Sequence, residues 1–113
     1  MSPRSTGTDP LGRTAPLFAA LGDETRLALV DRLCIQGPLS IIQLAADSAV
    51  TRQAITKHLE TLAAAGLVHD TRRGRERIWT LDTARFDEVR GYLDQIARQW
   101  DDALGRLKMF VED

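Results

Sequence analysis

Five polar side chains stand close together between residues 51 and 57: Thr51, Arg52, Gln53, Thr56 and Lys57. An arginine fork can donate two bonds to guanine O6 and N7. A glutamine amide can pair with adenine N6 and N7, and a threonine can bond a base or meet a thymine methyl. Arg52, Gln53 and Thr56 are therefore the candidates for reading base edges, while Thr51 and Lys57 suit phosphate oxygens. A second basic group, Arg72, Arg73 and Arg75, clusters around Gly74. Three guanidiniums at one tip could lie along a phosphate backbone or enter a minor groove, where the negative potential favours them. The plainer alternatives are a solvated helix face for the first group and, for the second, a charged turn that keeps an edge strand soluble.

The elements that must carry these residues favour the first reading. Ser40 with Gln43 three residues later is a capping-box pattern, opening a helix that buries Ile41, Leu44 and Ala45. Thr51 is a suitable N-cap for the next helix, in which Ile55, Leu59, Leu62 and Ala63 form one apolar stripe. That stripe sends Arg52, Gln53, Thr56, Lys57 and Glu60 to the solvent side, and Gly66 is placed to end the helix in a left-handed cap. Two β-like runs follow, 67–71 and 77–81, with Gly74 at the turn between them. A helix-turn-helix inserts the start of its second helix into the major groove, so this order of elements suits a reader of DNA. His58 sits at the edge of the stripe and fits either a phosphate contact or a hydrogen-bonded boundary position. Arg77 is free to pair with Glu76 or Asp70.

Upstream, residues 1–14 are rich in Ser, Thr, Gly and Pro without periodicity and read as a flexible leader to one domain spanning 15–113. Leu17, Phe18 and Leu21 suggest a short helix ending at Gly22. Asp23 caps the next, whose apolar residues are Leu27, Val30 and Leu33, with Cys34 expected as a buried thiol. Downstream, Phe86, Leu93, Trp100 and Leu107 recur every seven residues, with Val89, Ile96, Ala103 and Phe110 at the complementary positions. This is a heptad seam, beginning at a cap on Asp82 or Thr83. A helix of that span is roughly 40 Å long at 1.5 Å per residue, too long for a small domain to cover alone. We expect part of the seam to bury against a second copy, the alternative being a helix packed only on its own core.

The 113 residues, 43% hydrophobic and 27% charged, fit one globular domain. A single cysteine excludes an intrachain disulfide, and no apolar run or signal-like segment points away from the cytoplasm. The net charge of −1 at first argues against a nucleic-acid partner. Its distribution reverses that: residues 51–79 carry six basic groups against three acidic, whereas 80–113 carry five against eight. The positive surplus falls on the suspected reading segment. No paired carboxylates, nucleophile–base set or phosphate-cradling glycine loop suggests an enzyme.

The blocks LFAALGDETRLALVDRL, GPLSIIQLA, TRQAITKHLETLAAAGLV and GRERIWTL resemble the ArsR/SmtB family of winged-helix repressors, over most of residues 16–81. The resemblance implies a mainly α fold with a small β-hairpin, a winged helix-turn-helix that dimerises through its terminal helices and represses transcription at a pseudo-palindromic operator. It places DNA contacts on Thr51, Arg52, Gln53, Thr56, Lys57 and His58, with the wing at Arg72, Arg73 and Arg75. It places the dimer interface on Leu17 and Phe18 of the first helix and on Leu93, Ile96, Trp100, Leu104 and Leu107 of the last. Metal-sensing members carry two cysteines where this chain has Ser40 and Ile42, and neither histidine lies on the last helix. Cys34, His58 and His69 form no recognisable ligand set, so no regulatory metal or cofactor is expected. Two other functions fit the same fold: a sensor of a small organic effector, and a protein-interaction module without DNA binding.

Overall fold

The computed structural model describes residues 10–46 and 48–112. Among these described residues five helices and three strands follow in the order α1 (Pro10–Leu21), α2 (Glu24–Gln36), β1 (Leu39–Ser40), α3 (Ile41–Ala45), α4 (Arg52–Ala64), β2 (Val68–Arg73), β3 (Glu76–Leu81) and α5 (Thr83–Glu112). The expected hairpin is present, and β1 joins it to make an antiparallel sheet of order β1-β3-β2. In register, Leu39 faces Trp79 and Ser40 faces Ile78. A two-residue strand carries too little alternation to be read from sequence. Among the described residues no helix is long and apolar enough to cross a membrane.

The local signals around the helix pair act as their chemistry requires. Ser40 Oγ accepts from Gln43 N at 3.2 Å and Gln43 Oε1 accepts from Ser40 N at 2.9 Å, closing the capping box. Thr51 Oγ1 accepts from Ala54 N at 3.1 Å and caps α4. At the other end, Gly66 has φ +83°. Leu67 N bonds Leu62 O at 3.0 Å and Gly66 N bonds Ala63 O at 2.9 Å. This is a Schellman closure, which favours glycine at the left-handed position. Asp82 Oδ1 accepts from Arg85 N at 3.1 Å, so Asp82 starts α5.

The core gathers Leu29, Leu33, Leu44, Ile55, Leu59, Leu62, Leu67, Val68 and Trp79, with Leu17 and Ala20 of α1 and Val89 of α5. The α4 stripe is buried at Ile55, Leu59 and Leu62 as its spacing requires. The α2 expectation holds for Leu33, which is buried, and Val30, which packs on the core. It needs correction at Leu27 and Cys34, which are exposed, the further buried residue being Leu29. At about 100° per residue, Leu27 and Cys34 share the side opposite Leu29, and the contacts of α2 with α4 and β3 select the Leu29 side.

The N-terminal boundary also moves. Residues 1–9 of the expected leader lie outside the described residues, but 10–14 are helical, and α1 runs through Pro16. Thr14 is buried, and Arg13 Nη2 bonds Glu88 Oε2 on α5 at 3.1 Å. Such tertiary contacts override the poor local propensity of this stretch. Leu17, expected at a dimer interface, is instead buried in the chain's own core. Phe18 is partly covered, its ring 5.9 Å from that of Tyr92 on α5.

The heptad seam divides in two. Val89 is buried and Phe86 packs on the core, but every residue described beyond Ile96 is exposed. Trp100 is 65% exposed and Leu104 61%. The second half of α5 projects from the fold and gives the molecule a 64 Å long axis.

Candidate nucleic-acid interface

With the apolar stripe of α4 fixed against the core, the opposite side of its first two turns is free. Arg52, Gln53, Thr56, Lys57 and Glu60 line an open groove of 590 Å³ together with Ile41 at the start of α3. Four of the predicted contact residues thus share one surface. The hydroxyl of Thr56 donates to Arg52 O at 2.9 Å, which fixes its rotamer and leaves its oxygen lone pairs and methyl to meet a partner. Thr51 caps the same helix end through its oxygen, so its hydroxyl proton stays available for a phosphate. With Ala54 N taken by the Thr51 cap, the remaining orphan N–H groups of this first turn add a favourable site for an anion.

The wing tip is a tight turn between paired Arg73 and Glu76, with Gly74 at φ +66°. Arg72, Arg73 and Arg75 are all exposed there. A cleft of 230 Å³ between wing and α3 is lined by Ser40, Ile41, Ile42, Arg72, Arg75, Glu76 and Arg77. Ile41 borders both this cleft and the α4 groove. Arg72 and Arg75 of the wing, fifteen or more residues from Lys57 in sequence, therefore border a surface that meets the α4 groove at Ile41, whereas Arg73 lines a separate cleft with Pro38, Gln43 and Ile78.

Two residues behave differently from the rest. Arg77 is spoken for: its Nε donates to Asp70 Oδ2 at 2.8 Å, and its guanidinium lies 4.7 Å from the centroid of the Trp79 ring. The hydrogen bond from Arg77 holds the Asp70 carboxyl below its ordinary pKa. His58, grouped by the resemblance with the DNA contacts, is half-buried and does not line the groove. Its Nδ1 lies 3.3 Å from Arg26 Nη1 and 3.9 Å from Asp23 Oδ2, which suits the boundary role.

Sequence reasoning missed the arginines of α2 that hold the helix pair. Arg32 Nη1 donates to Leu44 O at 3.1 Å and its Nη2 to Gln43 O at 3.2 Å. These carbonyls lie in the last turn of α3, the part of a helix whose acceptors look outside it for partners. Arg26 makes a similar link to the end of α1. Nothing in the spacing of α2 signals either bond, because the partners are set by tertiary packing.

Residues 21–71 match the model of a helix-turn-helix domain. The HTH-type transcriptional regulator Rv2034 of Mycobacterium tuberculosis is 42% identical over 87 residues, covering 77% of this chain and 78% of the relative. A solved structure, an ArsR-like transcriptional regulator from Rhodococcus sp. RHA1, superposes with a TM-score of 0.72 at 36% identity, covering 88% of this chain and 92% of the other. The chain belongs to the ArsR family of winged helix-turn-helix transcriptional regulators. A homodimeric winged helix-turn-helix domain from Mycobacterium bovis, Mb0332, shares the fold at 22% identity and a TM-score of 0.64, covering 94% and 93% of the two chains. As an ArsR-family regulator the chain binds DNA. In this member the start of α3 is a scaffold: Ser40 is buried in its capping box and Ile42 is exposed beside the wing. Among the described residues no group of three or more His, Cys, Asp or Glu is placed to hold a metal ion.

Proposed function

We propose that this regulator is a homodimeric repressor that reads a pseudo-palindromic operator, with the start of α4 in the major groove and the wing on the adjacent backbone or minor groove. The observation that carries this reading is the surface on which Arg52, Gln53, Thr56 and Lys57 adjoin the wing residues Arg72 and Arg75 across Ile41. In it Arg52 and Gln53 read bases, Thr56 contacts a base or a thymine methyl, and Thr51 and Lys57 bind phosphate. Arg72, Arg73 and Arg75 supply the sequence-independent attraction. A second copy covers the exposed half of α5, where Leu93, Trp100, Leu104 and Leu107 present apolar surface. The homodimeric Mb0332 domain supports this assembly by its shared fold.

The deciding experiment is selection of bound duplexes from a random pool with the wild-type chain and with Arg52→Ala. Loss of a bidentate guanine contact should relax discrimination at one position of each half-site by roughly 1–3 kcal/mol. An unchanged preference at every position would remove Arg52 from the reading face.

A further inference from the structure

One side chain joins three elements without lining the DNA-facing groove. Arg26 lies in the first turn of α2, and its backbone N–H is accepted by Asp23 Oδ2 at 3.0 Å. Its Nε donates to the Ala20 carbonyl at 2.6 Å. That carbonyl is one of the last four of α1, which have no helical partner, and Ala20 is buried. Its Nη1 reaches to 3.3 Å from Nδ1 of His58 on α4. A guanidinium has only donors to offer, so a hydrogen bond between the two requires Nδ1 as its acceptor, the tautomer with the ring proton on Nε2. The Asp23 carboxylate, 3.9 Å from the same nitrogen, stands outside hydrogen-bonding distance.

We propose that Arg26 is a positioning residue for DNA binding: through His58 it brackets the reading helix α4 to the end of α1. His58 lies six residues after Arg52, under two turns along the same helix. A rotation of α4 released at His58 therefore moves Arg52 and Gln53 relative to the groove they enter. The other end of the bracket sits on the helix whose Phe18 packs on Tyr92 of α5. The depth of α4 in DNA is thereby referred to the α1–α5 pair. Only a planar fork makes both bonds, because a lysine ammonium on the same stem is a single point that cannot reach both acceptors. In this arrangement His58 acts on DNA affinity from inside the fold and touches no phosphate.

The inference rests on α4 being the helix that reads DNA, and the test separates the two. A duplex selected by the wild-type chain is titrated by fluorescence anisotropy across a salt series, and thermal unfolding of each variant is recorded alongside. His58→Leu should lower affinity by about tenfold with the salt slope unchanged, since no phosphate contact is lost. His58→Asn, whose Oδ1 can stand where Nδ1 accepts, should restore affinity to within about threefold of wild type. Arg26→Lys should resemble His58→Leu, and the double variant should bind no more weakly than the weaker single. Additive losses would break the proposed coupling. A salt slope that falls by about 0.9 per protomer on His58→Leu would make His58 a phosphate contact and overturn the bracket. If Arg26→Lys fails to fold, the comparison of His58→Leu with His58→Asn decides alone, and equal affinity of the two overturns the proposal. Arg52→Ala in the same titration is the control. No effect there sinks the reading of α4 itself, whereas a loss there with none in His58→Leu sinks only the bracket.

Discussion

Replacing Trp100 by alanine tests whether a second copy covers the projecting half of α5. The indole is 65% exposed in the single chain, and a tryptophan presents on the order of 200 Å². Burying that exposed share against a partner removes roughly 130 Å² from water, worth about 3 kcal/mol at 25 cal/mol per Å². A two-fold interface uses the same patch on both subunits, so the substitution counts twice, about 6 kcal/mol per dimer as an upper value. The dimer dissociation constant should then rise by up to about four orders of magnitude. The core is untouched, because Trp100 has no part in it, so the melting temperature of the monomer fold should hold. Sedimentation velocity over a concentration series, with light scattering for mass, measures the shift directly. DNA binding should weaken in parallel, since two half-sites are then engaged one at a time. A dissociation constant within about threefold of wild type would refute the reasoning, and Leu107→Asp, a charge placed lower on the same seam, would confirm the refutation if it too left the dimer intact.

Three further outcomes are expected. Replacing Arg72, Arg73 and Arg75 together with alanine should weaken binding to all duplexes alike and flatten the salt slope by up to about 5 for a dimer, at roughly 0.9 per phosphate contact; an unchanged slope takes the wing off the DNA. Gly66→Ala should cost about 1–2 kcal/mol in chemical denaturation, because φ is +83° there and an added Cβ would lie 2.8 Å from Arg85 Nε; equal stability would mean the turn relaxes freely. The lowered carboxyl pKa of Asp70, caused first by its hydrogen bond from Arg77, stabilises the fold above the unfolded carboxylate value of about 3.9. That contribution is lost as pH falls through the lower folded value, so the stability gap between wild type and Asp70→Asn should shrink as pH falls below the unfolded carboxylate value in urea titrations. A gap that stays constant would detach Asp70 from the acid sensitivity of the wing.

The polar face of α4 was legible in the sequence because its determinants are local. A capping threonine, an apolar stripe at helical spacing and a terminal glycine fix both the helix and the side on which Arg52, Gln53, Thr56 and Lys57 stand. The capping box at Ser40 and the turn at Gly74 are local in the same sense. Errors arose where the answer depended on what packs against an element. Leu27, Val30, Leu33 and Cys34 have a helical period, yet period alone does not say where the stripe is centred: Val30 and Leu33 meet the core together with Leu29, whereas Leu27 and Cys34 are exposed. Residues 10–14 lack any strong helical signal and are ordered by Thr14 burial and the Arg13–Glu88 pair.

The sequence by itself determined which helix carries the polar face with Arg52, Gln53, Thr56 and Lys57, where it starts and stops, and that the last helix is longer than one small domain can cover. Only the tertiary structure decided that the α4 groove and the wing cleft meet at Ile41, that the apolar seam becomes uncovered after Ile96, and that His58 turns inward to Arg26. The division has a physical basis. Helix period, caps and turns depend on backbone geometry within a few residues, whereas the partner of a long guanidinium is chosen by whichever carbonyl or ring nitrogen the packed helices bring within about 3 Å.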